Sequence, residues 1–298
     1  MHMKTKLNGT IALAIGLSLL TFTLTGCGRE TSAFNAGTTK EPITAYQAFH
    51  SESIWYAFDD DEDVAKDRII RNIVVFDGKG NATFYQTGHD LTFADLQDKS
   101  DEEIIAMAKE TDKAEFESDK ESAMIDIDAI AEARENITSE ILESAGFSSL
   151  DEADDETKAQ LQQAIDEELS LENLDDAALD AANSYNEELS KFEYREPEAK
   201  PIELSIETDD SGNNTQEETV ILPRIWATFT DEDAADGYAW NDVTDSIKLS
   251  PLGNWAPEVY DMQFGGYAGF VTKLNEVKED YQGFTFDTPD TEGIKVDE

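Results

Sequence analysis

Apolar residues follow three different rhythms along this chain, and each predicts a different kind of element. Residues 11–24 form an uncharged, largely apolar run of fourteen positions, preceded by Lys4 and Lys6 and by no acid. A membrane-spanning helix takes roughly 20 apolar residues, so the run is short for a permanent span. It has the size of the apolar core of a secretory signal behind a basic start. The second rhythm is that of strands. Residues 54–58 (IWYAF), 69–76 (IIRNIVVF) and 82–86 (ATFYQ) are rich in β-branched and aromatic side chains. Asp77-Gly78-Lys79-Gly80-Asn81 between the last two is a hairpin signal.

The third rhythm is helical and fills residues 95–198. Ser100 and Glu103 have the spacing of a capping box ahead of Ile104, Ile105 and Ala108. Ile127, Ile130, Ile137 and Ile141 recur at helical spacing with Ala131 and Ala145, and Gly146 fits a C-terminal stop. Leu150, Ala153, Leu161, Ile165 and Leu169 trace another stripe, and Leu174, Ala178, Ala181, Tyr185, Leu189 and Phe192 a further one, closed by Pro197. From residue 200 the strand rhythm returns. Residues 202–208 alternate, 210–214 (DSGNN) are turn chemistry, and 219–222 and 225–229 supply a returning strand in which Pro223 marks a break or an edge. Residues 247–249, 262–264, 269–274 and 283–286 read as short strands, and 291–298 as an edge strand or a frayed end. This order predicts an α+β fold: a single domain over 43–298 in which the N-terminal hairpin and the C-terminal strands share an antiparallel sheet. The helical segment of about 95–198 is then an insertion.

Charge changes the picture of what such a domain can meet. Of 298 residues, 67 are acidic and 22 basic, for a formal net charge of −45, while 39% are hydrophobic. That is enough apolar material for a core, but nucleic acid would be repelled, and so would an anionic lipid surface. The helical segment holds 34 of the acids and 8 of the bases, which reads as a solvated outer face. Trp is absent from it and confined to Trp55, Trp226, Trp240 and Trp255 in the flanks.

The only cysteine is Cys27, in Leu24-Thr25-Gly26-Cys27 directly behind the apolar run. This pattern resembles the lipobox of bacterial lipoprotein precursors. The resemblance implies cleavage between Gly26 and Cys27, a diacylglyceryl (palmitate-type) anchor on the Cys27 sulfur, and a location on the extracytoplasmic face of the cell membrane. Residues 1–26 are then a signal peptide and 27–42 the lipidated cysteine with a Thr-, Ser- and Gly-rich tether. The layout is also similar to that of surface lipoproteins of Gram-positive bacteria without an assigned activity. The matching pieces are Ser53-Ile54-Trp55-Tyr56, Asp77-Gly78-Lys79 and Tyr260-Asp261-x-x-Phe264-x-Gly266-Tyr267. They touch the β flanks and leave the helical middle uncovered, and no activity carries over.

Catalytic chemistry is thinly provided. Beyond the first residues only His50 and His89 remain, with no G-x-S-x-G elbow and no metal-binding His or Cys pair. Gly265-Gly266-Tyr267-Ala268-Gly269 lacks P-loop spacing and its lysine, and marks a bulge or a tight sheet crossing. Calcium is the one metal that the oxygen-rich loops suit. The candidate ligands are Asp59, Asp61 and Asp63 in one loop and Asp209 and Asn213 in another, neither in EF-hand spacing. The expected function is therefore a non-enzymatic, lipid-anchored binding or structural module of the envelope, with a protein or glycan partner, no nucleic acid and no cofactor beyond calcium. The alternatives are a solute-binding lipoprotein of a transporter and a hydrolase acting on glycans.

Overall fold

The computed structural model describes residues 36–60, 63–89, 91–229 and 237–297. β1 (Ile43–Thr44) and the short helix α1 (Ala45–Phe49) lead into β2 (Glu52–Ala57), β3 (Asn72–Asp77) and β4 (Asn81–Gln86). Four helices follow: α2 (Asp101–Ala123), α3 (Ile127–Ser144), α4 (Asp155–Leu171) and α5 (Asp176–Ser190). The chain then returns to strands with β5 (Lys200–Pro201), β6 (Glu203–Thr208), β7 (Thr215–Thr228) and β8 (Ala239–Leu249). It ends with β9 (Glu258–Val259), β10 (Met262–Tyr267), β11 (Phe270–Leu274), β12 (Phe284–Thr285) and β13 (Lys295–Asp297).

These strands build an antiparallel seven-stranded sheet in the order β5-β4-β3-β2-β11-β10-β9 and a four-stranded sheet in the order β13-β6-β7-β8. β1 and β12 form a separate parallel pair. In the larger sheet Trp55 lies opposite Val74 on one side and Thr272 on the other, so the N-terminal hairpin does pair with a C-terminal strand. The α+β class and the helical insertion between β4 and β5 follow the sequence pattern.

Strand alternation explains the two cores. Trp55, Val74, Phe76, Phe84, Tyr267 and Phe270 point to one face, where they meet Phe49 of α1 and the inner residues Leu204, Val220 and Leu222 of the smaller sheet. Ile54, Tyr56, Ile73, Tyr85, Phe264 and Val271 point to the other, against Phe93, Leu96 and the first turns of α2 at Ile104 and Ala108. Both faces of β2 are therefore buried, which is why it reads as a continuous apolar run. Gly266 belongs to this crossing: its φ is +138°, and a Cβ there would lie 2.7 Å from the Trp55 ring.

Three strands differ from the pattern. β3 starts at Asn72 rather than at residue 69, and Ile69 makes only a single bridge to Thr92. β7 is one strand of 14 residues, and Pro223 sits within it, opposite Thr244 of β8. β6 reaches only as far as Ile221, so Pro223 lies where one side of β7 has become an edge and no donor is required. β8 runs for 11 residues, far beyond 247–249, because it pairs with β7 along its whole length.

Among the helices, Leu161, Ile165 and Leu169 of α4 are buried as their spacing predicts, whereas Leu150 and Ala153 lie ahead of that helix and are only half-buried. In α3 only Leu142 is buried, and Ala131 and Ala145 are exposed. α3 packs chiefly on α4 and α5 rather than on a sheet, and a thin helical layer cannot cover a whole stripe.

Candidate functional site

The most site-like geometry lies where α2 crosses the far end of the β7–β8 hairpin. α2 is set at its start by the capping box: Glu103 N donates to Ser100 Oγ at 3.3 Å, and Ser100 N donates to Glu103 Oε2 at 2.8 Å. Ile104 and Ala108 fix its first half on the larger sheet. Two turns beyond Ala108, Phe116 enters a separate aromatic cluster with Phe192, Tyr194, Phe229 and Trp240. The Phe116 and Trp240 rings stack at 5.4 Å and 4°.

Between these anchors lies Asp112. Its carboxylate accepts from Gln86 N at 2.8 Å and from the Tyr194 hydroxyl at 2.6 Å. Burial pushes this carboxyl above the ordinary range, while Tyr194, Gln86 and Arg224 hold it back. A narrow cleft of about 40 Å³ opens beside it, walled by Asp112, Phe116 and Asp119 of α2, by Tyr194 and Arg195, and by residues 224–227 of β7. The Arg224 guanidinium lies 4.7 Å from the Phe84 ring and 4.2 Å from the Trp226 ring, and it is paired with Asp245. The cleft thus offers aromatic walls, fixed charge of both signs and a strand edge. That is a binding inventory.

A second polar constellation is fully enclosed. Glu218 is 0% and Asp287 2% exposed. Asp287 N donates to Glu218 Oε2 at 2.9 Å, and Tyr46 N at the start of α1 donates to Asp287 Oδ2 at 2.6 Å. Glu218 Oε1 and Asp287 Oδ1 have no hydrogen-bond partner among the described residues. Burial first, and then the facing Asp287 carboxylate, push Glu218 up to about 8. Their hydrogen bonds tie β7, α1 and the segment after β12 together.

The residues singled out from sequence are scattered. Gly26 and Cys27 lie outside the described residues, as does Asp61. Asp59 pairs with Arg71 at 3.2 Å, and the main-chain oxygen of Asp63 accepts from Arg68 Nε at 3.2 Å. Asp209 is occupied by its own turn: Ser211 and Asn214 bond to its two carboxylate oxygens and hold it down at about 2. Asn213 likewise bonds back to Ser211. Asp209 and Asn213 thus serve their own turn, and among the described residues no three His, Cys, Asp or Glu side chains gather as a metal site. His50 stacks on Tyr46 at 3.9 Å, and its Nδ1 meets the Tyr46 carbonyl at 2.9 Å, while His89 meets Arg71. Among the described residues no helix is long and apolar enough to cross a membrane.

Sequence reasoning passed over Asp112, Glu218 and Asp287. For Glu218 a signal existed: it shares strand parity with Val220 and Leu222, which places an acid on the buried face of β7. Asp112 and Asp287 carried none among 67 acids. In comparison with known proteins, the chain matches no protein family, and no curated protein and no solved structure is significantly similar to it.

Proposed function

We propose that this protein is an extracytoplasmic lipoprotein, held on the cell membrane by acyl chains on Cys27, whose folded part is a non-enzymatic binding module of the envelope. The observation that carries this reading is Leu24-Thr25-Gly26-Cys27, placed directly behind a basic start and a fourteen-residue apolar run and containing the only thiol of the chain. The charge supports it. A chain of net charge −45 is repelled by anionic lipid, so residence at a membrane calls for a covalent anchor. One acyl chain holds only marginally, and two or more hold stably. The cleft beside Asp112 supports a binding role, and the single block of helices supports one module over a two-lobed receptor.

Cell fractionation of Cys27→Ala tests the anchor. The variant is expected to leave the membrane fraction and appear in the soluble or secreted one. An unchanged membrane share would refute the anchorage.

A further inference from the structure

β7 is paired on both sides only as far as Ile221, its last partner position in β6, whereas its ladder with β8 continues to Thr228 opposite Ala239. From residue 222 to 228 it has one bonded and one open edge. Pro223 fixes which backbone groups face the open side. It has no N–H, yet it lies inside the ladder with β8, so it occupies a position whose N–H direction points away from β8. In an antiparallel strand the N–H and C=O of one residue point to the same side, and alternate residues share that side. Ile225 and Ala227 therefore direct both groups to the open edge. Among the described residues no segment outside the sheet forms a backbone bond to it.

The cleft runs along this edge. Arg224 and Trp226 belong to one face of β7 and Ile225 and Ala227 to the other, yet all four line the same space. Only a space that follows an edge borders both faces of a strand. A second hollow, lined by Asp119 and Ser122 of α2 and by residues 226–229, adjoins the cleft. Asp119 has no hydrogen bond or ion pair among the described residues, and burial pushes its carboxyl upward. Of the two cations that line the cleft, Arg224 is already paired with Asp245 and Arg195 lies 5.6 Å from the Trp240 ring. A second copy of the chain would bring another charge of −45 to the edge, and charge complementarity selects a basic occupant instead.

We infer that the groove between α2 and the open edge of β7 takes an extended basic peptide segment of a partner protein as an added strand. The inference deepens the binding-module reading and rests on it. Backbone bonds to residues 225 and 227 would supply affinity, and Asp119 would select lysine or arginine.

The test uses the full-length protein in detergent and a fluorescein-labelled peptide of alternating lysine and valine, titrated by fluorescence anisotropy at physiological salt. Saturable binding is expected, weakened about tenfold or more by N-methylation of alternate peptide residues, the loss of one or two net hydrogen bonds. Ala227→Pro removes an open-edge donor and leaves the β8 ladder intact, so a similar loss with an unchanged melting curve is expected. Should that variant fail to fold, the N-methylated peptide against the unaltered protein makes the same cut. Asp119→Lys is expected to weaken the lysine peptide, and a glutamate–valine peptide is expected not to bind. Equal binding of methylated and unmethylated peptides would mean attraction to an acidic surface alone and would overturn the inference, as would no binding at all or equal binding of the glutamate peptide. Neither failure touches the anchorage of Cys27, which fractionation reads separately.

Discussion

Glu218 is an acid set in an apolar register, and the consequence is a pH dependence with a definite sign. Its proton is held more tightly in the folded protein than in the unfolded chain, where the ordinary value is 4.5. The stabilisation is therefore full below that ordinary value and is lost as pH rises through about 8. Melting temperature is expected to fall from mildly acidic to mildly alkaline pH, and Glu218→Gln, which keeps a donor facing Asp287, is expected to flatten that fall. Equal slopes for the two proteins would show that general charge repulsion, which acts in the same direction, accounts for all of it. At this scale the sequence was legible wherever a residue acts on its own neighbours. Asp77 accepts from Lys79 N and from Asn81 within the predicted hairpin, and Gly146 takes its left-handed C-terminal position with φ +82°. It was illegible where two residues meet across 69 positions, as Glu218 and Asp287 do.

α2 is the element on which the arrangement turns. It is the helix whose first half rests on the larger sheet and whose second half reaches the tip of the β7–β8 hairpin. Phe116→Ala removes the ring that Phe192, Tyr194, Phe229 and Trp240 surround. A loss of about 3 kcal/mol is expected from the emptied volume. Hydrogen exchange is expected to localise it: faster exchange in α5 and at the β7–β8 tip, with β2 and β3 unchanged. Uniform acceleration would mean that the insertion and the sheets unfold as one unit. The start of α2 could be read from Ser100 and Glu103 because capping is local. The length of β8 could not, since Asn241, Asp242, Thr244 and Asp245 become strand only by pairing with β7.

At the scale of the molecule, charge is the dominant feature. The ion pairs of the helical insertion, such as Lys158 with Asp151 and Lys191 with Glu187 and Glu188, lie at the surface, where each contributes little. The excess of acids is left to self-repulsion, which salt screens over roughly 8 Å at physiological strength. Thermal stability is expected to rise with sodium chloride and to rise equally with calcium chloride at matched ionic strength. A saturable gain with calcium alone would point to a site and send mutagenesis to the Asp59 and Asp209 loops. The succession of strands, helices and strands was visible in the hydrophobic pattern. The division of the strands into two sheets was not, because an inward residue such as Val220 reads the same whichever sheet it faces.

The pairing of β2 with β11 also has a consequence in time. Trp55 finds Val74 within the same hairpin, but its partner on the other side is Thr272, which the ribosome supplies only after the entire helical insertion. A sheet whose central strand waits for one of its last has a high contact order and closes slowly. Until then one edge of β2 stands open, so the sheet stays unfinished while about 200 further residues are made. Such a delay postpones completion of the native sheet until residues 270–274 have been made.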